Sequence, residues 1–213
     1  MNGAKRSILC AVALSAITLA AQGRAHPAPA HDGDVVSGDY DGMLIGFNSA
    51  TRIVTGYFDE YIGGKPGPTF SCIFYLTGKF NGSSARISTY FPDAPAGDLI
   101  KGELVLETRL KFKVRLPEEH GGCEQVGHFA DDDRPAEFTL RTRHPWNSIA
   151  VVKSAKAHFF DAPASGTHRK AYVVKGDGVG VRASQPGWLQ VDYVDGQKVV
   201  SGWIRQSDVY PAN

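Results

Sequence analysis

Arg109-Leu-Lys-Phe-Lys-Val-Arg-Leu116 decides the fold. Polar and apolar residues alternate along the whole stretch, the period-2 signature of a half-buried strand. Leu110, Phe112, Val114 and Leu116 are expected to face a core, and Lys111, Lys113 and Arg115 to face water. Outward from this stretch, apolar and β-branched runs alternate with Gly, Pro, Asn and Asp clusters from about residue 38 onward. The expected strands are Tyr40–Phe47, Thr51–Phe58, Thr69–Phe80, Ala85–Phe91, Leu99–Glu107, Arg109–Leu116, Ala136–Arg141 and Ile149–Val152. No segment after residue 25 sustains a helical apolar spacing. Short strands separated by turn signals predict an all-β chain, an antiparallel barrel or sandwich. Asn48-Ser-Ala50, Asn81-Gly82 and Asp195-Gly196 supply hairpin turns, and Asn-Gly or Asp-Gly provides the positive φ that a tight turn needs.

The start of the chain reads differently. Lys5 and Arg6 precede an uncharged apolar run from Ile8 to Ala21, and Gly23-Arg-Ala25 offers small residues around a cleavage point. A bilayer span takes about 20 apolar residues, so this run is too short for one and reads as a secretory signal peptide over 1–25. Residues 26–37, opening His26-Pro-Ala-Pro-Ala-His31, are expected to be a flexible tether. The mature protein is then periplasmic or secreted. Its two remaining cysteines, Cys72 and Cys123, are expected to form one disulfide, as exported chains favour.

At 213 residues with a net charge of +1, the chain is long enough for one large domain or two small ones. Loss of Lys5, Arg6 and Arg24 takes the mature net charge to −2, which gives no electrostatic case for nucleic acid or an anionic membrane. Residues 26–153 carry −4 and residues 154–213 carry +2.

From Ala157 the texture changes. Ala157-His-Phe-Phe-Asp-Ala-Pro163 leads to Lys170-Ala-Tyr-Val-Val-Lys-Gly-Asp177, then Gly187-Trp-Leu-Gln-Val-Asp-Tyr193 and Gly202-Trp-Ile-Arg205. This order resembles the bacterial SH3-type domain, a small β-barrel appended to exported and cell-wall proteins. The first loop, Asp161 to His168, is shorter than that family's pattern. The resemblance implies a second, SH3-like barrel over 154–213, after an antiparallel β domain over 38–153 that holds the disulfide. It also implies binding of a peptide, a cell-wall fragment or a protein. Phe159, Phe160, Tyr172, Trp188 and Tyr193 are the expected ligand-binding residues, since such rings line grooves for extended peptides.

Catalytic signatures are missing. Gly176-Asp-Gly-Val-Gly180 is not followed by a helix, so it cannot cradle phosphate. Gly-x-Ser-x-Gly, Ser-x-x-Lys and His-Glu-x-x-His do not occur. His120, His128 and Asp131 to Asp133 match no metal-ligand spacing. Glu118 and Glu119 are adjacent and point apart, unlike the carboxylate pair of a glycosidase. No catalysis, cofactor or metal is expected. The partner is a protein or a peptidoglycan-derived peptide, with no nucleic acid and no membrane span. A second reading rests on the long connection from Pro117 to Arg134. Pinned by Cys123, this acidic loop would plug a basic cell-wall hydrolase or toxin and make the protein an inhibitor or immunity factor.

Overall fold

Residues 34–94 and 99–211 are described by the structure, a computed structural model. Their alternating runs pair into two antiparallel sheets, with no α-helix among the described residues. The first sheet has nine strands: β1 (Gly38–Tyr40), β2 (Met43–Asn48), β3 (Ile53–Gly63), β4 (Thr69–Asn81), β5 (Ser84–Tyr90), β6 (Ile100–Thr108), β7 (Lys111–Arg115), β8 (Ala136–Thr139) and β9 (Thr142–Arg143). From β1 to β8 each strand pairs with the next, and β9 returns to lie beside β1. The sheet curls into a half-barrel. Leu140 N–H donates to Leu110 O and Arg141 N–H to Asp39 O, each at 2.8 Å. The step from β8 to β9 thus bonds to both sides of the sheet.

The alternation in β7 works as expected over most of its length. Phe112, Val114 and Leu116 are buried in an aromatic core with Tyr40, Phe58 and Phe74. Leu110 departs from the expectation and is 45% exposed, because Arg109 and Leu110 form the turn out of β6. On the outer face, Lys111 and Lys113 each bridge Glu107 of β6 and Glu137 of β8. These lysines hold both carboxyls below their ordinary range.

The second sheet holds β10 (Ser148–Val151), β11 (Ala157–Phe160), β12 (His168–Val173), β13 (Gly178–Gln185), β14 (Trp188–Asp195) and β15 (Lys198–Arg205). Its order is β10-β13-β14-β15-β11-β12. Val152, Phe159, Val179, Val191 and Ile204 are buried in its own core. The turn from β14 to β15 uses Gly196 at φ +58°, as the Asp-Gly pair requires.

Two expectations about organisation read differently in the structure. The strand expected at Ile149–Val152 forms as β10, but its ladder partner is β13, in the second sheet. Its outer edge is taken by side chains of the first: Ile149 N–H donates to Thr55 Oγ1 at 2.7 Å, and the Tyr75 hydroxyl donates to Ile149 O at 3.0 Å. Sheet membership therefore changes before Ser148, not at residue 154. The expected signal peptide and residues 26–33 of the expected tether lie outside the described residues. Asp34 to Ser37 are packed: Val35 joins the first core, Asp34 pairs with Arg52 at 2.7 Å, and Ser37 Oγ donates to Trp146 O.

Candidate functional site

Two residues apart on β11, His158 and Phe160 share a face, because side chains alternate along a strand. Across the ladder, His158 lies opposite Tyr172 and Phe160 opposite His168 on β12. The rings that result are continuous. Tyr172 contacts His158 (centroids 5.6 Å), His158 contacts His168 (4.0 Å), His168 meets Phe160 edge-on (6.1 Å), and Phe160 meets Trp188 edge-on (4.9 Å). Each end of this strip carries a cation over a ring. Lys156 Nζ sits 4.6 Å from the Tyr172 centroid, and the Arg205 guanidinium sits 4.9 Å from that of Trp188 and 5.6 Å from that of Phe160. Such contacts hold about 0.5–1 kcal/mol at exposed sites. Arg169, beside the strip, is paired with Asp161 and donates to Ser201 O.

β12 is the last strand of its sheet, so its outer backbone edge has no ladder partner among the described residues. Tyr172, 45% exposed, stands on this edge strand. Phe160 and Trp188 are buried at 8% exposure each, so the strip offers the rings of Tyr172, His158 and His168, positive charge at both ends and an open row of peptide groups.

The five residues expected to bind ligand do not share this surface. Phe160, Tyr172 and Trp188 are brought together. Phe159 is 1% exposed and belongs to the core of the second sheet, while its neighbour Phe160 points to the opposite face of β11 and is buried there against Trp188. Tyr193 packs against the same core, its hydroxyl pushed above its ordinary range by burial and by Asp177 and Asp195. His158, His168, Lys156 and Arg205 belong to the strip and were not expected.

Cys72 and Cys123 form the expected disulfide, with Cα atoms 4.5 Å apart. The loop they pin does not project. Phe129 is buried against Phe58, Phe74 and Phe138, and His120 stacks on Phe74 at 5.2 Å. His120 Nε2 lies 2.8 Å from Thr89 Oγ1, whose hydroxyl donates to Ile100 O at 3.1 Å. Glu119 Oε1 accepts from Ala130 N–H, and Asp131 Oδ1 from Asp133 and Arg134 N–H, which folds the loop on itself. It lids one end of the first core and leaves Glu118, His128, Asp132 and Asp133 exposed. Among the described residues, no three His, Cys, Asp or Glu side chains are grouped to hold a metal ion.

A projecting element lies elsewhere. β3 and β4 continue past the body of the sheet as a two-stranded ribbon ending in Gly63-Gly-Lys-Pro-Gly-Pro68. Tyr61 (64% exposed), Ile62 and Phe70 are apolar and open to solvent on it, and Cys72 anchors its base. The polar Asp59-Glu60 pair reads as a strand end, which hid the extension.

Comparison of this chain with models of known families, with curated proteins and with solved structures finds no match.

Proposed function

We propose that the chain is an exported, non-enzymatic binding protein whose second sheet, read as an SH3-like module, engages a peptide, cell-wall fragment or protein partner. One observation carries this reading: a continuous strip of four ring contacts, capped by Lys156 and Arg205, lies beside the unpaired edge of β12. An extended segment added to that edge would draw affinity from main-chain hydrogen bonds and specificity from the rings. The cations at both ends favour a segment with acidic residues, because opposite charges speed encounter and fix orientation. A disulfide between Cys72 and Cys123 is compatible with an oxidising compartment outside the cytoplasm.

The inhibitor reading finds its support in the β3–β4 ribbon rather than in loop 117–134. The ribbon's exposed Tyr61, Ile62 and Phe70 are what a blocking element would insert into a cleft.

Peptide display on the immobilised mature chain tests both. Selected peptides should lose at least tenfold in affinity with Tyr172→Ala and with Arg205→Ala, while Tyr61→Ser and Phe70→Ser leave binding unchanged. Binding indifferent to the first pair and abolished by the second would refute the proposal and move the site to the ribbon.

A further inference from the structure

Where the outer face of the first sheet meets β10 and β13, the surface folds into a cleft of about 680 Å³. That size falls in the range of small-ligand sites, about 300–1,000 Å³, and junctions between units are where such sites concentrate. The cleft is separate from the ring strip, none of whose residues lines it. Its chemistry is unusual in one respect. Among the described residues, Lys153 is the only charged side chain in a lining otherwise made of apolar residues and neutral hydrogen-bonding ones, with no Asp or Glu.

Part of that polar lining is already used as scaffold. Thr55 and Tyr75 serve Ile149, and Asn147 Nδ2 donates to Arg182 O at 2.6 Å. The side-chain carbonyl oxygen of Asn48 accepts from Ala50 and Thr51 N–H, so its amide donors are what it can offer a ligand. These bonds hold the cleft's walls in place before anything binds. Ile53, 42% exposed, adds an apolar surface beside the amides and hydroxyls. A polyanion would meet one cation and many groups that cannot neutralise it. A cationic ligand would meet no carboxylate. A neutral molecule rich in hydroxyls and amides, with apolar C–H faces, meets partners of each kind.

We infer that this inter-sheet cleft is a second binding site, for a neutral oligosaccharide. Sugar hydroxyls exchange hydrogen bonds with Asn48, Thr77, Ser184 and Gln206, while the ring C–H face rests on Ile53. Lys153, exposed just after β10, tolerates a single carboxylate on the chain but does not select for one.

Calorimetric titration of the full mature chain with chitotetraose, cellotetraose and maltotetraose tests this, with tetragalacturonate as the polyanionic comparison. At least one neutral tetrasaccharide should bind saturably, and at least tenfold more tightly than tetragalacturonate. Ser184→Trp, which fills the cleft from an exposed position on β13, should abolish that binding without shifting the thermal midpoint. Gln206→Ala should weaken it severalfold. Should a variant misfold, amide chemical-shift changes in the unaltered protein locate the binding independently, and they should be confined to residues of the cleft. Failure of all three neutral sugars, preference for the polyanion, or shifts mapping to the ring strip would overturn the inference.

Discussion

The indole N–H of Trp146 donates to Asp192 Oδ2 at 3.0 Å, and both residues are buried. This bond spans the two sheets. The Trp146 carbonyl accepts from Ser37 Oγ at 2.7 Å, which anchors its backbone to the first sheet, while Asp192 belongs to β14 of the second. Asp192 Oδ1 also accepts from Ser201 Oγ at 2.7 Å. A buried carboxylate needs such donors, because an unmet one costs about 1–3 kcal/mol or more.

Trp146→Phe is therefore expected to destabilise the chain by about 1–3 kcal/mol, since it keeps an aromatic ring but leaves Asp192 short of a donor. Urea denaturation followed by circular dichroism measures it. Gly180→Ala should be costly through the same side chain, as a Cβ there would lie 2.1 Å from the Trp146 ring. In a Trp146→Ala background that clash is gone, so the two changes should combine less than additively.

The disulfide joins the base of the ribbon to the lid. Cys72→Ala and Cys123→Ala should each cost about 2–4 kcal/mol, and the double variant no more than the larger of the two, because all three remove one bond. A double variant whose cost is the sum of the singles would mean that each cysteine packs independently.

Phe129 makes the lid part of the core. Phe129→Ala should cost about 3–5 kcal/mol, the range for large aromatic truncations in packed interiors. Asp132→Asn and Asp133→Asn, both exposed, should change stability by less than about 0.5 kcal/mol. Thermal unfolding distinguishes this from a lid that merely rests on the barrel, for which Phe129→Ala would be mild.

Stability should also depend on Asp59 and Asp177. Burial raises both carboxyls above their ordinary range, Asp177 adds its charge at Asp59, and Asp59 Oδ1 is buried without a hydrogen-bond partner. The folded state then holds these protons more tightly than the unfolded chain does. Their cost is absent below the unfolded carboxyl range, appears as pH rises through it, and is complete above the raised folded values. Asp59→Asn is expected to raise the thermal midpoint at pH 7, with the gain shrinking as pH falls towards about 4, the ordinary carboxyl range. A gain that grows towards acid pH would contradict the sign.

Much of the strand pattern was legible in the residues because period-2 alternation reports local geometry directly, as Phe112 and Val114 show. The disulfide was legible because residues 26–213 contain only two cysteines. Pairing partners were not. Ile149 alternates like any edge residue, and nothing in its neighbours distinguishes a ladder with β13 from one in the first sheet. The inward turn of loop 117–134 depends on His120 and Phe129, nine positions apart in a stretch without periodicity, so composition alone made it look solvated. The ring strip was half legible. Alternation already forbids Phe159 and Phe160 from sharing a face, and His158 stands in step with Phe160. His168 and Arg205 joined them only through register.

Hydrogen–deuterium exchange of residues 26–213, with and without a display-selected peptide, tests the binding surface most directly. Slowed exchange should concentrate in β12, over His168–Val173, and in the flanking parts of β11 and β15. Protection centred on Tyr61 to Phe70, with β12 exchanging as fast as in the free protein, would contradict binding at the second sheet.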